Sequence, residues 1–154
     1  MAENENTVET LNDLVRINND RVEGYDRALK ELQASDADLK SIFTRMIGES
    51  KNYLNELEQA VTRLGGEPAK GATGAGKLYR AWMDVKATFT GKGRHAILSS
   101  CEYGEDAAQR AYETALKDMD LPMEITQIIT AQKSALKASH DEIKRLRDTA
   151  TVEK

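Results

Sequence analysis

A glutamate inside an apolar helical stripe constrains this chain more than any other feature of its sequence. Side chains that are otherwise apolar or small recur at steps of three and four through residues 98–119, which places them on one face of an α-helix. Glu105 lies in the middle of that face. A buried carboxylate needs a hydrogen-bond donor, a counter-charge, a proton or a metal, because burying it alone is very costly. The stripe consists of Leu98, Cys101, Glu105, Ala108, Tyr112, Ala115 and Met119.

Composition and charge restrict the class of protein. The 154 residues suffice for one domain with a hydrophobic core, and 31% charged with only 5% aromatic residues favours helices over sheets. A net charge of −4 without a basic face argues against nucleic-acid binding, and no apolar run is long enough to span a membrane. The chain starts without the basic and apolar segments of a signal peptide, and its single cysteine fits a reducing compartment, so we expect a cytoplasmic protein.

Hydrophobic periodicity predicts four long helices and one short helix within a single domain spanning residues 1–154. The Gly65-Gly66 pair is typical of a helix end, and Pro122 favours the first turn of the last helix. The long connection between the second and third helices predicts an all-α, up-down-down-up bundle with the short helix in that crossover. The predicted ranges are about 7–32, 36–64, 77–89, 94–119 and 122–147.

Each long helix carries one polar residue on its apolar face: Asn18, Glu49, Glu105 and Gln132. Asn18 precedes the end of its helix by about as many residues as Glu49 follows the start of the next. Glu105 and Gln132 are related in the same way, so antiparallel pairing sets all four at a similar height. We therefore predict one polar layer near the middle of the bundle.

Arg21 lies one turn after Asn18 and is predicted to point inward as well. We hypothesise that its guanidinium supplies the positive charge of the layer and that amides and tyrosine hydroxyls supply further donors. Such a layer would fix the register of the helices without a metal. The predicted members are Asn18, Arg21, Tyr25, Glu49, Asn52, Glu105, Tyr112 and Gln132.

A faint internal repeat relates the first and third long helices. Asn18 is followed at +7 by Tyr25, Glu105 is followed at +7 by Tyr112, and both are followed at +11 by a leucine. With these pairs, the chain resembles the ferritin-like superfamily and, within it, a bacterial family of small four-helix proteins of unknown function. Further residues that carry the resemblance are Glu49 with Leu64-Gly65-Gly66, the strap Tyr79-Arg80-Ala81-Trp82-Met83-Asp84, Tyr103-Gly104-Glu105-Asp106, and Gln132 with His140-Asp141.

The resemblance implies where a metal would bind. Di-iron bundles place one glutamate on each of two helices and a Glu-x-x-His motif on each of the other two. In this chain Asn18 and Gln132 replace two of those glutamates, which leaves Glu49 and Glu105 with Glu102 one turn away. These three carboxylates are the candidate ligands for a single divalent cation such as iron, manganese or zinc. The alternative is a layer that holds no cofactor, and the missing histidine ligands favour it.

Two classes of function follow from these alternatives. The first is a non-catalytic interaction or stress-related module, able to form a homo-oligomer, with a metal-free or weakly metal-binding layer. The second is a divergent metal-binding protein with oxidase or storage activity. Neither histidine is placed by the sequence beside Cys101 or a serine, so nothing indicates a catalytic nucleophile. No stripe carboxylate lies three residues from His140, and we interpret that histidine as a bridge to the strap around Tyr79 and Trp82.

Overall fold

The computed structural model describes residues 2–70 and 93–150, which form four long α-helices and no strand. A short 3₁₀ turn, Ala34–Asp36, joins the first two helices. The structure confirms the predicted all-α bundle, while the predicted helix over 77–89 lies outside the described residues. The helices are α1 (Ala2–Glu31), α2 (Ala37–Arg63), α3 (Arg94–Leu116) and α4 (Met123–Thr149).

The helices pack as two antiparallel pairs. α1 lies along α2 and α3 along α4, and contacts of α1 with α3 and of α2 with α4 close the bundle. Each pair is joined by a short connection, whereas a long one runs from α2 to α3. This is the predicted ferritin-like, up-down-down-up order. No helix in the described part of the chain is long and apolar enough to cross a bilayer.

Two glycines end α2 as the sequence predicts. Gly65 has a φ of +84°, the left-handed conformation that glycine adopts without steric cost. The Gly65 and Gly66 amides donate to the carbonyls of Thr62 and Val61, both at 3.0 Å, which is the Schellman pattern. A Cβ on Gly66 would lie 2.7 Å from a methyl group of Val8 on α1, so this position also permits close packing of the two helices.

The core is divided into two apolar clusters. One contains Leu14, Leu57 and Ile129, and the other contains Phe43, Leu98 and Ile143. Asn18, Arg21, Ser50 and Glu105 belong to neither cluster and are all buried. Burial of these polar groups is tolerable only if they bind one another, and their mutual contacts determine what the centre of the bundle can do.

One predicted core residue is exposed. Met119 has 95% of its surface accessible, because α3 ends at Leu116 and the periodic stripe no longer describes a helix beyond it. The Asp118 carboxylate accepts a hydrogen bond from the backbone amide of Asp120 at 2.9 Å, which fixes a turn there. The prediction that Met119 is buried is therefore wrong.

Candidate functional site: a buried ion-pair layer and a carboxylate–histidine cluster

A buried ion pair between α1 and α3 lies at the centre of the bundle. Arg21 Nε donates to Glu105 Oε1 at 2.5 Å, and Nη2 donates to Glu105 Oε2 at 3.3 Å. The two side chains therefore meet in a two-point, charge-assisted contact. Both are buried, so neither charge is exposed to bulk solvent.

The remaining surface of the guanidinium is also occupied. Nη1 donates to the carbonyl of Met46 at 3.1 Å and to Ser50 Oγ at 2.8 Å. Nη2 lies 3.7 Å from Glu49 Oε1, and the guanidinium carbon lies 5.2 Å from the centre of the Tyr25 ring. Burial by itself lowers the pKa of Arg21, but the charge and hydrogen bond of Glu105 help to raise it above its ordinary value. Arg21 is therefore a fixed cation at every accessible pH.

A hydrogen-bonded chain runs from Arg21 through the other helices. Ser50 Oγ donates to Asn18 Oδ1 at 3.0 Å, and Asn18 Nδ2 donates to the Tyr112 hydroxyl at 2.9 Å. Tyr112 donates to Gln132 Oε1 at 2.6 Å, and burial raises the pKa of this tyrosine, so it stays protonated and able to donate. Gln132 in turn donates to Glu56 Oε1 at 2.8 Å. The chain links all four helices and ends at a carboxylate on the surface.

The structure brings most of the predicted layer together and leaves one member outside it. Asn18, Tyr25, Tyr112 and Gln132 are buried around the ion pair. Asn52 is exposed, so its prediction as a buried amide is wrong. The buried face of α2 passes through Ser50, two residues earlier, and Asn52 is turned away from the core.

Glu49 lies at the margin of the layer. Its carboxylate is half-buried, accepts a hydrogen bond from Ser139 Oγ at 2.9 Å, and lies near the Arg21 guanidinium. Ser50 and Ser139 are participants that the sequence analysis did not name. The sequence signal for Ser50 is its position one turn after the buried Met46. Because serine is small and polar, it does not stand out in the apolar pattern.

The residues at the centre do not fit a dinuclear metal site. Di-iron bundles direct several carboxylates and imidazoles inward to balance two cations. Here Arg21 already contacts both inward carboxylates, Glu49 and Glu105, and Asn18 and Gln132 are neutral and engaged with the Tyr112 hydroxyl. A metal at this position would have to displace a buried guanidinium whose charge repels it.

A second group of ionisable side chains lies at the edge between α3 and α4. Within residues 2–70 and 93–150, Glu102, Asp106 and His140 each offer one ligand atom, and these atoms lie within 4.8 Å of one another. Glu102 therefore belongs to this group, although the sequence analysis placed it with Glu49 and Glu105. The structure does not gather those three carboxylates into such a group.

His140 has a carboxylate at each ring nitrogen. Nε2 lies 2.5 Å from Asp106 Oδ1 on α3, and Nδ1 lies 3.1 Å from the neighbouring Asp141 Oδ1. Burial lowers the pKa of His140, but the hydrogen bonds to Asp141 and Asp106 outweigh that effect and raise it. Arg147 forms an ion pair with Glu102 in the same region. The predicted bridge from His140 to Tyr79 and Trp82 involves residues outside the described ranges.

Comparison with a known structure agrees with the observed architecture. The fold is similar to that of a mutant of Mycobacterium smegmatis Dps1, with a TM-score of 0.83, 14% sequence identity and coverage of 95% of this chain and 97% of that one. At this identity the similarity establishes the fold alone. No curated protein gives a significant sequence match to the chain.

Comparison with protein families identifies the family of this chain. The profile described as "Domain of unknown function (DUF2383)" matches residues 6–118, which include most of α1 and all of α2 and α3, with both residues of the buried ion pair. The match spans well over half of the 154 residues. The chain therefore belongs to the DUF2383 family and has the ferritin-like four-helix fold.

Proposed function

We propose that this chain is a non-catalytic ferritin-like module in which a buried arginine takes the place of the central metal. The observation that carries the proposal is the contact of Arg21 with Glu105, at 2.5 Å between Nε and Oε1. The remaining guanidinium contacts described above support the same proposal. Redox chemistry at a bundle centre needs open coordination positions, and here protein donors occupy the corresponding space.

The activity of such a module is binding through its outer surface. Tyr103, Met119 and Met123 are large apolar side chains that remain exposed in the described part of the chain. Exposed aromatic and methionine side chains are common at protein contact surfaces. These positions support the proposal of an interaction role, with a second copy of the chain or another protein as the partner.

The test is to load the protein anaerobically with ferrous iron and to measure bound iron and oxygen uptake. We compare the wild type with Glu105→Gln and, as a control for iron held elsewhere, with His140→Ala. If the centre holds no metal, Glu105→Gln retains the same bound iron as the wild type and oxygen uptake matches that of buffer. Stoichiometric iron that Glu105→Gln loses, together with oxygen-dependent oxidation, would contradict the proposal. Light scattering on the same samples measures self-association.

A further inference from the structure

We propose that Glu102, Asp106 and His140 form a site for one divalent transition-metal cation of the Zn²⁺ type. The site would bridge α3 and α4 at the edge of the bundle, away from the Arg21 layer. The inference is independent of the proposed function of that layer, because it concerns a different set of side chains.

The spacing of the ligand atoms suits a single cation. Glu102 and Asp106 are four residues apart on α3 and thus share one helix face, and His140 approaches them from α4. Their ligand atoms lie within 4.8 Å of one another. A tetrahedral cation with ligands at about 2.1 Å holds them about 3.4 Å apart, so separations of up to 4.8 Å would have to shorten on binding.

The contact of His140 with Asp141 is a second, independent feature of a metal site. Histidine ligands usually donate their other ring N–H to a carboxylate, which fixes the tautomer and orients the ring. Asp141 Oδ1 lies 3.1 Å from His140 Nδ1, and Lys137 Nζ holds the other oxygen of this carboxylate at 3.0 Å. On binding, Nδ1 would keep its proton for Asp141, and the cation would replace the proton that Nε2 directs at Asp106.

The ligand types indicate the class of cation. Two carboxylates balance the charge of a divalent ion, while the imidazole favours zinc, iron and similar metals over magnesium or calcium. Glu102 and His140 are largely buried and Asp106 is more open, so water can complete the coordination. Arg147 contacts Glu102 and would compete with the cation for this carboxylate.

Titration calorimetry with Zn²⁺ on the chelator-free full chain tests the proposal. We expect one site in the wild type. In His140→Ala and in Asp106→Asn we expect the affinity for Zn²⁺ to be weaker by about tenfold or more. His95→Ala is the matched control because the sequence contains only two histidines, and it should bind as the wild type does. Arg147→Gln should bind more tightly, since it removes the competing cation.

A second readout locates the ion. Binding should shift the nitrogen resonance of His140 Nε2 but not that of His95, as measured by long-range ¹H–¹⁵N NMR. The proposal is overturned if the wild type does not bind Zn²⁺, if His140→Ala and Asp106→Asn bind as well as the wild type, or if His95→Ala loses the site. Asp106→Asn decides the outcome if His140→Ala fails to fold, because Asp106 is exposed enough for this substitution to preserve packing.

Discussion

The centre of the bundle and its α3–α4 edge use the same pair of residue types in different surroundings. At the centre, 0% of the Arg21 side chain and 1% of the Glu105 side chain are exposed. At the edge, 28% of the Arg147 side chain and 12% of the Glu102 side chain are exposed. The difference indicates that burial decides whether a carboxylate can exchange its arginine for another cation.

Desolvation explains this difference. Removing one partner of a buried pair leaves an uncompensated charge in a region of low dielectric, whereas solvent screens a charge left near the surface. We therefore expect Glu105 at the centre to keep Arg21 as its partner. At the edge, the proposed site would allow a metal to replace Arg147, and the comparison can be tested by removing partners one at a time.

The largest effect is expected for Arg21→Met. This change leaves Glu105 buried without its counter-charge, and we expect the free energy of unfolding to fall by about 3–5 kcal/mol. Urea unfolding followed by circular dichroism measures the change. Arg16→Met is the matched control, because Arg16 is partly exposed and pairs with Asp13 on the same helix, 3.0 Å away. Its effect should stay below about 1 kcal/mol.

Equal losses in Arg21→Met and Arg16→Met would contradict the comparison, since burial would then make no difference to the value of the pair. Large losses of stability in both variants would contradict the comparison only if Arg16→Met keeps the helical circular dichroism of the wild type. That spectrum is therefore recorded for every variant before urea is added.

The double variant Arg21→Met, Glu105→Met should recover most of the lost stability. Replacing both partners removes the unpaired charge, and apolar replacements of buried ion pairs are often neutral or stabilising. We expect the double variant to be more stable than Arg21→Met by at least about 2 kcal/mol in the same urea assay. If the two substitutions were simply additive, the ion pair would not be the source of the effect.

The fold could be predicted from the sequence because helical periodicity is a local signal. The stripe around Glu105 and the glycine pair after α2 were enough to predict these helices without information on their tertiary contacts. The same reasoning failed beyond Leu116, where an apolar residue at the correct spacing follows the end of the helix. Periodicity predicts which face is buried, but it does not by itself predict where the helix ends.

The candidate sites were less predictable because they depend on contacts between helices. Ser50 and Asn52 are both polar and lie about 200° apart around α2, so polarity alone does not tell which of them faces the core. His140 meets Asp106 across 34 positions of sequence, and a search for partners at helical spacing cannot find that contact. The register between α3 and α4, rather than either sequence pattern, creates the edge cluster.

Tyr112→Phe tests the hydrogen-bonded chain that crosses the centre. The change removes one hydroxyl that accepts from Asn18 and donates to Gln132, so both amides lose a buried partner. We expect a loss of about 1–3 kcal/mol in the free energy of unfolding. Tyr103→Phe is the control, because Tyr103 is exposed on the same helix and should change stability little. A loss as large in Tyr103→Phe would show that the hydroxyl contacts of Tyr112 are unimportant.

The smallest effect is expected at a third arginine–carboxylate pair, which is more exposed than the other two. Arg94 donates to both oxygens of Asp38, at 2.8 and 2.6 Å, and these bonds lower the pKa of Asp38 from 3.8 to about 2. A depressed folded-state pKa means that the contribution to stability is present above about pH 4 and is lost as the pH falls through about 2. Because 55% of the Asp38 side chain is exposed, solvent screening keeps the contribution small. Wild type and Asp38→Asn should therefore differ by less than about 1 kcal/mol in urea unfolding near pH 6, and this difference should shrink as the pH falls toward 2 and vanish below it. A difference that stays constant across this range would mean that ionisation of Asp38 does not determine its contribution, and that charge does not explain the ranking of the three pairs.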